Sequence, residues 1–181
     1  GNKNIHYQTA DLSTLGGIRQ AAEGIQEKVD RIDVLVNNAG ALFWNRQESP
    51  DGIEMTFALN HLNYFLLTNL LLGKIKNSPA GRIINVSSGA HIGQKLDFDD
   101  LQNQKSYRPF TAYGRSKLAN LYFTYELDRR LKGTGVTVNA VHPGFVATNF
   151  GKEGNPLARM LMPIISLFAK SSQKGAETPV Y

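Results

Sequence analysis

The sequence predicts an α/β chain built on a doubly wound parallel sheet. Three observations carry this. Strand-like and helix-like stretches alternate as β, α, β, α, β, α, β. Two of the strands, Ile32–Val36 and Val136–Val141, are β-branched apolar runs of the kind expected of strands buried on both faces. Asp11, the Asn37–Gly40 turn, Ser88 and Pro143-Gly144 all fall at carboxyl ends of strands, where such sheets bind ligands.

The elements follow in order. Ile5–Leu12 reads as a short strand closing in a polar turn, with Asp11 or Ser13 available to cap a helix from about Leu15 to Val29. The run Ile32–Val36 ends abruptly at Asn37-Asn38-Ala39-Gly40. A loop with Phe43, Trp44, Asn45 and Pro50 precedes a long helix from about Ile53 to Leu72 that contains Asn60. The strand Gly81–Val86 delivers Ser87 and Ser88. A polar excursion, His91–Pro109, leads to a helix that opens at Thr111 and continues through Leu131, closed by Gly133 and Gly135. The last strand, Val136–Val141, ends at His142-Pro143-Gly144. The order implies right-handed crossovers and a sheet covered by helices on both sides. No repeat or linker divides the chain, so residues 1–181 read as a single domain.

Composition narrows the function classes. Hydrophobic residues at 41% and charged residues at 19% indicate a globular chain. The absence of cysteine removes disulfides, thiolate metal sites and cysteine nucleophiles. The net charge of +5 could favour a phosphate-bearing ligand, but no basic run or aromatic-interleaved patch points to nucleic acid. Four histidines without ligand spacing argue against a metal. The longest apolar runs, Tyr64–Leu72 and Met160–Ala169, are too short and interrupted to span a membrane.

Tyr113 and Lys117 are four residues apart and share one helix face, which places a phenol beside an ammonium. A neighbouring positive charge lowers a phenol's pKa towards the range useful for proton transfer. A surface helix carrying an ordinary tyrosine and lysine has the same spacing, so the pair needs the rest of the chain. His91 with Ser88 and Asp97 could suggest a hydrolase triad, yet no G-x-S-x-G elbow surrounds the serine. His61 and His142 read as residues that pack or hydrogen-bond locally. The stretch Met160–Phe168 reads equally as a mobile apolar flap over a hydrophobic substrate or as a helix packed on the core. Phe43 and Trp44 carry the same two readings.

Taken together and in order, Asn37-Asn38-Ala39-Gly40, Asn60 in its helix, Ser87-Ser88, Tyr113-x-x-x-Lys117 and Pro143-Gly144-x-x-x-Thr148 resemble the short-chain dehydrogenase/reductase family. More narrowly, His91, Phe98-Asp99-Asp100-Leu101, Ser116-Lys117-Leu118-Ala119-Asn120 and Gly175-Ala176-Glu177-Thr178 resemble its retinol dehydrogenase-like branch. The resemblance implies a Rossmann-type three-layer sandwich and an NAD(P)-dependent oxidoreductase. Such an enzyme moves hydride between nicotinamide and a hydrophobic alcohol or carbonyl compound. Tyr113 would be the general acid/base. Ser88, preferred to Ser87, would hold the reacting oxygen. Lys117 would bind the nicotinamide ribose and lower the Tyr113 pKa, and Asn60 would hold a water connecting Lys117 to solvent. Asp11 and Leu12 would line the adenine, and Asn38, Ala39 and Gly40 the adenosine ribose. Pro143, Gly144, Val146 and Thr148 would flank the nicotinamide. The branch implies NADP, with NAD as the other choice, and a homo-oligomer formed through the two long helices.

The family's glycine-rich cofactor turn has no counterpart in this sequence, nor do its first strand, first helix, second strand and final strand. The expectation is therefore a single incomplete NAD(P)-binding domain, truncated at both ends. Its location is expected to be cytoplasmic, with an N-terminal anchor left open. Two other functions fit the same residues: a non-catalytic binding or scaffold module retaining part of the fold, and a cofactor-dependent epimerase or dehydratase.

Overall fold

The computed structural model describes residues 4–144 and 172–180. Three parallel strands, β1 (Val34–Asn37), β2 (Arg82–Val86) and β3 (Thr137–Val141), form a sheet in the order β1-β2-β3. Val34 pairs with Arg82, and Arg82 with Thr137, so the three strands end level at Asn37, Asn85–Val86 and Ala140–Val141. Everything that follows those ends is delivered to one rim.

Helix α1 (Leu15–Gln26) starts at Thr14, whose hydroxyl accepts the Gly17 N–H at 3.0 Å. Thr14 thus takes the capping place expected of Asp11 or Ser13; Asp11 instead folds its own turn by accepting from the Ser13 N–H and hydroxyl. The helix stops three residues short of Val29.

The strand expected at Ile5–Leu12 does not form. Its residues join no ladder and Leu12 lies in a turn, with Ile5 and Tyr7 exposed. A strand sequence needs a neighbour to pair with, and among the described residues no strand lies beside it.

The helix expected over Ile53–Leu72 runs from Met55 to Lys76 in three parts. These are α2 (Met55–Phe57), a π-helical turn (Ala58–Leu62) and α3 (Asn63–Lys76). The fully buried Glu54 carboxylate caps it, accepting from the Thr56 and Phe57 N–H groups at 2.7 and 2.9 Å. Helix α4 (Pro109–Leu131) begins two residues before Thr111, with Pro109 in the first turn, where its missing N–H costs nothing. Helix α5 (Ser172–Val180) carries Gly175-Ala176-Glu177-Thr178.

Right-handed crossovers between sequential neighbours place α3 and α4 on the same face of the sheet. On that face Ile83 and Val138 pack with Leu71, Ile75, Phe123, Leu127 and Leu131 in the core. The opposite face corrects the expectation of strands buried on both sides: Val34 and Val36 are 48% and 41% exposed. Their apolar side chains are those a second helical layer would cover, and that layer does not lie within the described residues.

Beneath the helices a line of buried amides and hydroxyls crosses the core. The Asn37 amide donates to Thr68 Oγ1 (2.9 Å) and Asn85 Oδ1 (2.8 Å), the Asn85 amide donates to Thr124 Oγ1 (2.9 Å), and Thr124 donates to the Asn120 carbonyl (2.7 Å). A buried polar network stabilises only when each member is satisfied. Asn85→Ala breaks two of these bonds at once, so it is expected to destabilise the protein by about 2–4 kcal/mol in urea unfolding. A loss below about 1 kcal/mol would show that the line is energetically idle.

Candidate active site

The rim gathers four of the predicted residues. Ser88 follows β2 in extended conformation, and its hydroxyl accepts the Ala90 N–H at 3.3 Å, opening a short 3-10 turn, Gly89–His91. Tyr113 and Lys117 project from the first turns of α4, and Asn60 sits in the π-helical turn. A π turn places side chains off the regular helical register, and such turns recur at functional sites.

The serines separate as strand alternation requires. Ser87 is buried and donates to the Lys117 carbonyl at 2.9 Å, tying α4 to β2. Ser88 turns towards Tyr113 and hydrogen-bonds its phenol. Gly114 lets the two approach: a Cβ there would lie 2.4 Å from the Ala90 carbonyl oxygen, so any larger residue would push α4 away from the serine turn.

Lys117 is 3% exposed, and its ammonium donates to the Val86 carbonyl at 3.0 Å. It lies 5.7 Å from the centre of the Tyr113 ring and 5.4 Å from that of Tyr64. Burial pushes its pKa down to about 8. The expected lowering of Tyr113 by Lys117 is not what this arrangement gives. Burial holds the Tyr113 phenol above its ordinary value, and the Ser88 hydrogen bond opposes that shift.

Asn60 is fully buried and its side chain is fully used. Its Oδ1 accepts the Ala41 N–H at 2.8 Å, and its amide donates to the Ala41 carbonyl at 2.9 Å and to Ser116 Oγ at 3.1 Å. It therefore clamps the chain just after the Asn38–Gly40 turn. Its backbone carbonyl accepts the Asn120 amide at 2.9 Å. The same Asn120 bonds His61 Nδ1 through its Oδ1 at 2.9 Å, and burial lowers the His61 pKa.

Gly40 reaches the same place: a Cβ on it would lie 3.0 Å from Asn60 Oδ1 and 3.4 Å from Lys117 Nζ. Asn38 is exposed and Ala39 half-buried beside it. Pro143 and Gly144 are half-buried after β3, with Gly144 at φ 82° in the left-handed region. His142 Nδ1 accepts the Gly89 N–H at 3.3 Å, a local bond as expected of it. Asp11 and Leu12 lie in the turn before α1. Val146, Thr148 and the apolar stretch Met160–Phe168 lie outside the described residues.

The polar excursion is clamped to the loop before α2. Tyr107 donates its hydroxyl to the Phe43 carbonyl at 2.7 Å, Arg46 donates to the Gln102 carbonyl at 3.1 Å, and the Trp44 and Phe110 rings meet edge-on at 5.6 Å. Phe43 and Trp44 thus belong to one wall beside the α4 start.

Sequence reasoning singled out Tyr113, Lys117, Ser88 and Asn60 but not Tyr64, Ser116 or Asn120, which touch them. Helical spacing held part of the signal: Tyr64 is four residues after Asn60, and Asn120 is three after Lys117 and four after Ser116, all at buried positions. Among the described residues no group of three His, Asp or Glu side chains could hold a metal ion, and no helix is long and apolar enough to cross a membrane.

Residues 1–157 match the family described as short chain dehydrogenase. The chain is similar to human retinol dehydrogenase 13, with 45% identity over 99% of this chain and 56% of that protein. It thus spans about half the length of the curated relatives it matches. Among solved structures it is similar to an uncharacterised protein from Mycobacterium paratuberculosis, with TM-score 0.68, 41% identity, and coverage of 76% of this chain and 49% of that one. It is also similar to RhlG of Pseudomonas aeruginosa in an active-site complex with NADP, with TM-score 0.62, 29% identity, and coverage of 85% of this chain and 56% of that one.

Proposed function

The chain belongs to the short-chain dehydrogenase family, and from that premise we propose that this protein is an NAD(P)-dependent oxidoreductase acting on a hydrophobic alcohol or its carbonyl counterpart. The observation that carries the reading is the meeting of Ser88, Tyr113 and Lys117 at the carboxyl rim of the sheet. The hydrophobic substrate follows the retinol dehydrogenases that the chain resembles, and NADP follows both that branch and the NADP complex of a structural relative.

The donor set fits the nicotinamide riboside half of such a cofactor. Lys117 and Tyr113 supply hydroxyl-binding groups, while Gly40 keeps the space next to them free of a side chain. Asn38, Ala39 and Gly40 would meet the adenosine ribose, Asp11 and Leu12 the adenine, and Pro143, Gly144, Val146 and Thr148 the nicotinamide. The sequence holds no glycine-rich turn for the pyrophosphate, so residues 1–181 form an incomplete NAD(P)-binding domain. When bound, the nicotinamide supplies or takes the hydride.

The protein's own residues handle the proton. The Ser88 hydroxyl orients the reacting oxygen towards the Tyr113 phenol. Burial keeps that phenol protonated at neutral pH, which suits it to donating its proton to a carbonyl oxygen during reduction. Lys117 would hold the ribose, and Asn60 would hold a water leading to solvent. The test is turnover of full-length protein with NADPH and a panel of hydrophobic aldehydes and ketones. Hydride transfer to at least one is expected; failure to bind either dinucleotide would favour a scaffold module instead.

The outer faces of α3 and α4 support self-association. Phe65, Tyr122 and Tyr125 are 48%, 50% and 68% exposed on these two helices. A homodimer by sedimentation at micromolar concentration is expected, and a monomer would contradict this part of the reading.

A further inference from the structure

We propose that Tyr64 is a positioning residue for Lys117, its ring face closing with that of Tyr113 around the ammonium. The inference rests on the proposed role of Lys117. The ring centres lie 5.4 and 5.7 Å from Nζ, within the range at which an aromatic face attracts a cation. Tyr64 comes from α3 and Tyr113 from α4, so the ammonium is held between two helices.

The need for such a device is physical. A lysine that is 3% exposed has lost its hydration, and its bond to the Val86 carbonyl engages one of its three N–H groups. Among the described residues no carboxylate forms an ion pair with it. The other titratable group facing it is His61 of the π-helical turn, which burial keeps neutral and which therefore adds no charge. The two ring faces and the Val86 carbonyl are what offset desolvation.

The hydroxyl of Tyr64 points to the same conclusion from the opposite side. Tyr64 is fully buried, yet its hydroxyl has no hydrogen-bond partner among the described residues. A core tyrosine is ordinarily held by that bond. Here the ring is the part in contact with a functional group. Burial and the neighbouring Tyr113 raise the Tyr64 pKa well above its ordinary value, so the phenol stays neutral and its ring face remains a quadrupole rather than an anion.

The experiment follows the Lys117 ammonium directly in the full-length protein. Lysine labelled with carbon-13 at Cε is titrated by NMR, with the Lys117 signal identified by its loss in Lys117→Arg. Tyr64 is replaced by phenylalanine and by phenylalanines bearing one, two and three ring fluorines, which drain the ring face without changing its shape. Tyr64→Phe is expected to leave the midpoint within about 0.3 unit of native, and successive fluorines to lower it stepwise by about one unit in all. One midpoint across the whole series would overturn the proposal. A protein that transfers no hydride still gives this titration, so failure of the oxidoreductase reading is seen separately.

Discussion

Replacing Tyr113 with phenylalanine is expected to lower hydride transfer by the full-length protein about 10²–10⁴-fold, the usual contribution of a positioned acid or base. The substitution removes one oxygen and keeps the ring that faces Lys117 at 5.7 Å. Stability should therefore change little, while cofactor binding loses only the contact that the Tyr113 hydroxyl would give. The loss belongs in kcat, since the phenol acts on charge that develops only as the carbonyl is reduced. Ser88 loses its hydrogen-bond partner as well, so Ser88→Ala combined with Tyr113→Phe should cost less than the product of the two single losses. Turnover unchanged in Tyr113→Phe would remove the assigned chemistry.

The second large effect concerns stability. Burial pushes Lys117 from its ordinary 10.5 down to about 8. Below pH 8 the ammonium is charged in both folded and unfolded chains, and the full desolvation penalty weighs on the folded state. Between about pH 8 and 10.5 the unfolded chain holds the proton that the folded one has released, so stability rises with pH across that window. The gap corresponds to about 3 kcal/mol. Lys117→Met should therefore stabilise the protein at pH 7 by about 2 kcal/mol, after the lost Val86 bond and ring contacts are counted, and flatten the rise above pH 8. Activity should collapse in the same variant. Urea unfolding at pH 7 and pH 9.5 measures both parts, and a net loss of stability at pH 7 would contradict the account. The expected trade of stability for activity is common where a site carries a buried charge.

Much of this was legible because the chemistry sits at strand ends. Short β-branched apolar runs located all three strands of the sheet to within two residues. The turns after them named Ser88 and the Asn38–Gly40 segment, and i, i+4 spacing named Tyr113 with Lys117. What the sequence did not show depended on partners. Ile5–Leu12 has strand composition but no neighbour to pair with, and Val34 and Val36 have core composition without a covering layer among the described residues. The π-helical turn at Ala58–Leu62 was invisible because its hydrogen-bond shift leaves the local pattern helical. Three bonds to Ala41 and Ser116 occupy the Asn60 side chain, and those partners lie too far away in sequence for local spacing to name them. Spacing put an ammonium near the phenol, while the burial that raises the Tyr113 pKa depends on how the helices pack and is not written in that spacing.

The most direct test follows the hydride itself. Full-length protein is supplied with NADPH deuterated at C4 on each face in turn, together with a hydrophobic aldehyde, and the product is analysed by mass spectrometry. The account predicts one deuterium on the new carbinol carbon from one of the two labelled cofactors. An epimer or dehydration product with the label still in the cofactor would contradict it.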